Sequence, residues 1–417
     1  MKKKILIVLL FIMVKVEAQT STFSAIDSLF ENGRYQLALQ QLKNINPPSF
    51  LTHYKTALIY EAIDNYQQTA SSLENALTFK EDKKASLKLA KAYLRLTKAH
   101  KSIEIYENLL AKDSMNLILE YQLGKLYLQN SKYKKSINLF KDLIKKDSLN
   151  PHYSYQLGLS YWFIKDKNRS MNSYLDVLEK DSTHIKAITK LAYSYFNLRD
   201  KDSTFIYIDK GLQLQPNHIS LNRIKVNQLY RETKYKETIP ILLKLDSIKA
   251  MEHFNNNMLG KVYYNLEDFK NAQERFRNVV KIDFEDFRAF TYLGNIALKE
   301  KNHRMAMLNY FQATRVGKEA RDDAYYGLAT LFYEQKKPAS AIRYFKKAFE
   351  ENHKNYKALF QQAKLSDDYY KDKKIGYKLY KNYKSRFLDK DKQMSDFVTN
   401  RISTIKKDYF MKGEKLE

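Results

Sequence analysis

A repeat of about 34 residues limits the possible folds of this chain more than any other feature. The segments YQLGKLYLQNSKYKKSINLFKDLIKKDSLN from Tyr121, YQLGLSYWFIKDKNRSMNSYLDVLEKDSTH from Tyr155 and TKLAYSYFNLRDKDSTFIYIDKGLQLQPNH from Thr189 begin 34 residues apart. Each opens on Leu-Gly or Leu-Ala and places an aromatic three residues on. A small residue follows nine positions later, and a large apolar one four beyond that. A polar stop rich in Asp, Ser, Pro and Asn ends the unit. The small residue of the first half recurs at Ala57, Ala90, Gly124, Gly158, Ala192, Val226, Gly260, Gly294 and Ala329. A weaker unit precedes these around Gly33, Tyr35 and Ala38, and another follows near Ala363, so the repeat covers about 22–389.

A unit of this length holds two helices joined by a tight turn. Gly or Ala where they cross lets the backbones approach, and aromatics at Tyr127, Tyr161, Tyr195 and Tyr263 fill the space between neighbouring hairpins. One hairpin does not bury its apolar face alone, but a stack does. With 10 Gly and 6 Pro in 417 residues, the chain lacks the turn residues of a sheet protein. Asp147 and Asp181 begin polar runs that stop one helix and cap the next. Pro240 falls inside a second helix and is expected to kink it or shift its start, with a bend near 240–256. Pro338 suits a first turn. Phe397, Ile402, Ile405 and Phe410 predict a terminal helix that covers the last apolar face.

The pattern resembles the tetratricopeptide repeat: Trp/Leu-x2-Leu-Gly-x2-Tyr, then Ala-x3-Phe, then Pro. The resemblance implies an all-α chain, a right-handed α-solenoid of about 11 hairpins over 19–389 with a C-terminal capping helix and tail over 390–417. It also implies that the first helices line a concave surface, with contacts from the second, fifth, ninth, twelfth and thirteenth positions of each unit. Carried onto this sequence, those positions include Lys91, Arg95 and Lys125, then Tyr155, Trp162, Tyr193 and Phe196. They continue through Arg223, Asn227, Tyr230 and Arg231 to Asn257, Lys261, Tyr264, Arg288 and Asn295. From the unit at Lys84 to the unit ending at Lys299, the transferred positions carry lysine and arginine but neither aspartate nor glutamate. Such a face suits an acidic protein or peptide segment, because Arg forks match carboxylates and Tyr, Trp and Arg dominate binding hot spots. The carboxylate clamp of some relatives is not expected, since Thr291 stands where it needs a lysine.

The formal charge is +26 and there is no cysteine. Disulfides, thiol nucleophiles and Cys-ligated zinc are thereby excluded. Lys2, Lys3 and Lys4 precede an apolar run from Ile5 to Val14, and Val16-Glu17-Ala18 offers small residues at −3 and −1. This order predicts a secretory signal peptide over 1–18, cleaved before Gln19. The run is too short for a bilayer span of about 20 residues. A soluble protein of the periplasm or cell envelope is expected, without a transmembrane segment after cleavage.

No phosphate loop, His-Glu-x-x-His pair or Gly-x-Ser-x-Gly elbow is present, so no enzyme, cofactor or metal is predicted. His152, His184, His218 and His253 recur once per unit but fall at inter-repeat loops, where capping residues belong. The sequence therefore points to an exported scaffold that grips a protein or peptide. Binding of an anionic envelope glycan through the same groove is the alternative. Export argues against nucleic acid as the partner.

Overall fold

A computed structural model describes residues 22–249, 252–317 and 320–416. The predicted export segment, 1–18, lies outside the described residues. Among those residues the regular structure is helical throughout, and it falls into two compact units, the first ending at Leu214 and the second beginning at Gln215.

Unit 1 is a stack of helical hairpins. Its helices are α1 (22–31), α2 (Tyr35–Lys43), α3 (Phe50–Ala62), α4 (Tyr66–Phe79), α5 (Lys83–Arg95) and α6 (Ala99–Lys112). They continue with α7 (Leu117–Gln129), α8 (Tyr133–Lys146), α9 (Pro151–Phe163), α10 (Lys167–Lys180), α11 (Ile185–Leu198) and α12 (Lys201–Leu214). Unit 2 repeats the scheme with α13 (Ile219–Arg231), α14 (Tyr235–Ile248), α15 (His253–Asn265), α16 (Phe269–Ile282), α17 (Phe287–Lys299) and α18 (His303–Arg315). It ends in α19 (Asp322–Glu334), α20 (Pro338–Glu351), α21 (Tyr356–Tyr369), α22 (Lys373–Phe387) and the single helix α23 (Lys392–Met411). The chain is thus an all-α solenoid of hairpins closed by one extra helix.

Local chemistry sets the boundaries. First helices start at side-chain caps: Asn116, Asn150, His184, His218 and Asp286 each accept a backbone N–H of the following turn, satisfying one of its orphan donors. Pro151 occupies the first helical position behind Asn150, where its missing N–H costs nothing. The hairpin turns from α1–α2 to α19–α20 each hold one residue in the left-handed region: Gly33 at φ 70°, then non-glycine residues such as Lys165 at 62° and Lys301 at 60°. Pro240 lies within α14 and neither ends that helix nor moves its start, because Tyr235 keeps the 34-residue register of Lys201 and Phe269.

Packing follows from a division of volume between positions 16 apart. A Cβ on Gly124, Gly158, Gly260 or Gly294 would lie 2.8, 2.6, 2.9 or 2.6 Å from the ring of Phe140, Tyr174, Phe276 or Tyr310. Where the first helix carries Val226, the opposing residue is the smaller Leu242, and Ala57 faces Leu73. Alanine also faces a ring in two units, Ala90 with Tyr106 and Ala329 with Phe345, so the pair fills its space in several ways at native density.

At the C-terminal end, Val398, Ile402, Ile405 and Tyr409 of α23 join Leu359, Tyr380 and Tyr383 in one core cluster. Phe410 departs from the expectation: it is 84% exposed, because helical periodicity gives the buried stripe to Tyr409. The Arg401 guanidinium donates to both oxygens of the buried Asp367, at 2.5 and 3.1 Å, tying α23 to α21. Removing one partner of such a buried pair typically costs about 3–5 kcal/mol.

Candidate functional site

The first-helix faces of the two units differ in chemistry. In unit 1, Lys91 and Arg95 are exposed, and the Arg95 guanidinium lies 5.8 Å from the Tyr66 ring. Lys125 rests over Tyr121 at 5.3 Å. Tyr155 is half-buried against Tyr174 and His184, with ring centroids 5.8 and 5.1 Å away, so most of its surface serves the stack. Trp162 meets Tyr193 at 5.7 Å, with the Lys190 ammonium 5.5 Å from the indole. Burial holds that lysine below the ordinary lysine range. Phe196 is half-buried and Tyr193 exposed, leaving an aromatic patch on α9 and α11.

In unit 2, Arg223 is ion-paired with Glu252 and lies 4.9 Å from the Phe254 ring. Asn227 and Asn257 are half-buried, and Arg231 is exposed. The Tyr230 hydroxyl accepts a hydrogen bond from Asn265 at 3.0 Å. These residues do not line the cavity that forms further along the unit. Lys261, Tyr264, Arg288 and Asn295 do: they share a cleft of about 840 Å³ between α15, α17 and α19. Its other walls are Tyr292, Tyr326, Thr330, Asp323 and Glu334, and Tyr310 reaches it from α18.

A glycine on one wall of this cleft admits the Tyr310 ring. Two residues before the small crossing residue, the other first helices from α5 onward carry Lys88, Gln122, Gln156, Lys190, Ile224, Met258, Tyr292 or Gln361. In α19 that position is Gly327, where a Cβ would lie 2.3 Å from Cε1 of Tyr310. The Tyr310 ring is held between Gly327 and Gly294, and its hydroxyl donates to Asn295 Oδ1 at 2.7 Å. That bond fixes the Asn295 amide, directing its N–H donors away from Tyr310. Tyr264 and Tyr292 meet edge to face at 5.1 Å, and Phe276 stacks beneath Tyr292 at 4.6 Å.

The cleft's charges are shifted toward neutrality. Burial lowers the Lys261 ammonium, against the pull of Asp286. Burial and the neighbouring Asp322 raise the Asp323 carboxyl, against Arg288. Among the described residues neither side chain has a hydrogen-bond or ion-pair partner. Glu334 is engaged at 3.6 Å with Lys301 and at 3.4 Å with His303. The face is therefore not free of acids. The next unit, in a register lengthened to 35, supplies Asp323 and Glu334. Tyr292 and Gly327 lie at a position outside the transferred set; their departure from Gln122 and Gln156 is the signal that could have found them.

The recurring histidines serve the loops. Nδ1 of His184 and of His218 accepts the N–H of Ala187 and of Leu221, at 3.2 and 3.3 Å. His253, Asp283 and Asp286 bring possible metal ligands within 4.8 Å of one another. Asp283 and Asp286 each spend an oxygen on a backbone N–H, of Glu285 and of Ala289, and His253 bonds Asp286 at 2.8 Å.

Sequence models described as tetratricopeptide repeat match residues 121–180, 255–286 and 323–352. No curated protein matches the chain. Among solved structures, yeast Tom70 is similar at 14% identity, with 93% of this chain and 95% of that one covered and a TM-score of 0.45. PilF of Pseudomonas aeruginosa is 17% identical over 53% of this chain and 99% of its own, with a TM-score of 0.43. The type IV pilus biogenesis factor PilW is 16% identical over 50% and 96%, again at 0.43.

Proposed function

We propose that this chain, which belongs to the tetratricopeptide-repeat family, is an exported, non-enzymatic scaffold that holds a segment of a partner protein in the cleft of α15, α17 and α19. The observation that carries this reading is the convergence of Lys261, Tyr264, Arg288 and Asn295 on one cavity. A cleft of about 840 Å³ has room for several residues of a bound chain. Tyrosine rings supply rigid contact area, and the oriented Asn295 amide can donate to a main-chain carbonyl.

Charge favours an acidic segment. Lys261, Arg288, Lys299 and Lys301 outnumber Asp323 and Glu334, and Glu334 is already engaged by Lys301 and His303. An acidic side chain opposite Lys261 would satisfy an ammonium that the fold leaves partly desolvated. Asp323 would select an amide or basic group at the other wall. The signal-like residues 1–18 support export, with this activity in the periplasm or at the cell envelope. Among the described residues no helix is long and apolar enough to cross a membrane.

A photoreactive residue at Thr330, on the cleft wall, tests the reading in cells. One discrete protein adduct that disappears in Lys261→Glu is the expected result. A polydisperse glycan adduct would replace the protein partner with an anionic envelope polysaccharide. A folded protein that forms no adduct would remove the cleft from consideration.

A further inference from the structure

The C-terminal end of unit 2 combines two surface features that occur together nowhere in the cleft. The first is charge. Helix α22 carries Lys373, Lys374, Lys378, Lys381, Lys384 and Arg386 and no acidic residue. Lys373 is engaged with Asp367, and Arg386 donates to the His353 carbonyl. Lys374, Lys378, Lys381 and Lys384 have no ion-pair partner among the described residues. Lys374, Lys378 and Lys381 follow one another at helical-turn intervals, so they share a face. The second feature is apolar. Phe410 and Met411 at the end of α23 are 84% and 66% exposed.

The two features adjoin. Tyr409, one residue before Phe410, donates to Asp372 at 3.2 Å, and the Lys374 ammonium lies 5.7 Å from its ring. Lys406 and Lys407 are exposed one turn before Phe410 and Met411, and Lys412 follows them. Large exposed side chains in a segment rich in exposed lysines have the chemistry of a shallow interfacial anchor: rings enter the headgroup boundary while ammonium groups meet lipid phosphates.

We infer that the α22–α23 end is a docking face for an anionic lipid surface, with Phe410 and Met411 as the apolar anchor and the lysines of both helices as the attractor. Neither part suffices alone, since weak apolar insertion needs a second, electrostatic signal. The lipid is recognised by headgroup charge. The face is separate from the cleft residues and does not depend on what the cleft holds.

The test is cosedimentation of the chain lacking residues 1–18 with phosphatidylcholine vesicles, with and without phosphatidylglycerol. Binding is expected only with phosphatidylglycerol, weakening as salt is raised. The triple variant Lys374→Glu, Lys378→Glu, Lys381→Glu should lower partition by about a hundredfold, at about fivefold or more per lysine. Phe410→Ser with Met411→Ser should lower it by about tenfold and leave the melting temperature unchanged, since both side chains are exposed. Lys261→Glu should leave vesicle binding intact. No phosphatidylglycerol-dependent binding, or binding that survives both sets of substitutions, would overturn the inference. So would retention on heparin or DNA without retention on vesicles.

Discussion

The hairpins α9–α10 and α17–α18 share one crossing and differ in what surrounds it. Each sets a glycine, Gly158 or Gly294, against a fully buried tyrosine, Tyr174 or Tyr310, with the same 2.6 Å approach. Tyr174 is enclosed by Val177, Ala187 and Leu191. Ser170 lies beside its hydroxyl but donates to the Gly158 carbonyl at 2.8 Å, and the Tyr174 hydroxyl makes no hydrogen bond among the described residues. Tyr310 instead meets Asn295 and opens on the cleft. The scaffold requirement is a ring against a glycine. The phenol oxygen is a liability in one hairpin and part of a polar floor in the other, because the residue after the crossing glycine is Leu159 in α9 and Asn295 in α17.

The comparison breaks most sharply at Gly327. Gly327→Ala relieves the poor helix propensity of glycine but drives a Cβ into a ring already trapped by Gly294. A net loss of about 1–2 kcal/mol is expected. Gln156→Ala, at the equivalent place in α9, should stay within about 0.5 kcal/mol. Urea melts of both variants check this, and equal effects would detach the cleft from Gly327.

Removing the phenol oxygens should next give opposite signs. Tyr310→Phe loses its bond to Asn295 and should cost about 1 kcal/mol, while Tyr174→Phe removes an unmatched buried hydroxyl and should gain about as much. Denaturant midpoints measured side by side read the difference, and a shared sign would dissolve the comparison.

A smaller effect tests what the two hairpins have in common. Their turns place Lys165 and Lys301 in the left-handed region, so Lys165→Gly should gain about 0.5 kcal/mol, strain relief outweighing added chain entropy. Lys301→Gly should gain less, because it also gives up the exposed pair with Glu334.

The least change in stability is expected at Lys261. Its ammonium is disfavoured in the folded chain, so the unfolded chain holds the proton more readily. Stability should therefore rise with pH through the interval below the ordinary lysine value and level off above it. Lys261→Met should flatten that rise and stabilise the neutral-pH protein while weakening capture of an acidic segment. Calorimetry across pH checks the first effect and crosslinking yield the second.

The hairpins are legible in the sequence because one small residue and one ring 16 positions on recur at a fixed period, which stacking physics converts directly into helix pairs. Trp162, Tyr193, Lys261 and Asn295 are reachable by register alone. The acids are not: Asp323 and Glu334 belong to a unit displaced by one residue, beyond Lys299, where the transferred positions end. Nor is the ion pair of Arg223, whose partner Glu252 holds the N-cap position of α15, where the neighbouring units place His218 and Asp286 as side-chain caps. Phe410 reads as core only if the stripe is begun at Phe397; begun at Val398, it runs by helical spacing through Ile402 and Ile405 to Tyr409. Gly327 lies outside the transferred positions, and only its departure from Gln122 and Gln156 at that place in the repeat marks it.

The exchange of volume across 16 positions also bears on how such a chain changes over generations. A ring acquired before its partner shrinks collides with the opposite backbone, and a glycine acquired first leaves a hollow. Gly158 with Tyr174 and Val226 with Leu242 are two settled solutions, Ala90 with Tyr106 is a third, and a change at one position alone leaves the crossing overfull or hollow. Substitutions at these sites should therefore be inherited as pairs, so that copies of one ancestral hairpin diverge in jumps at the crossing while drifting freely along their outer faces.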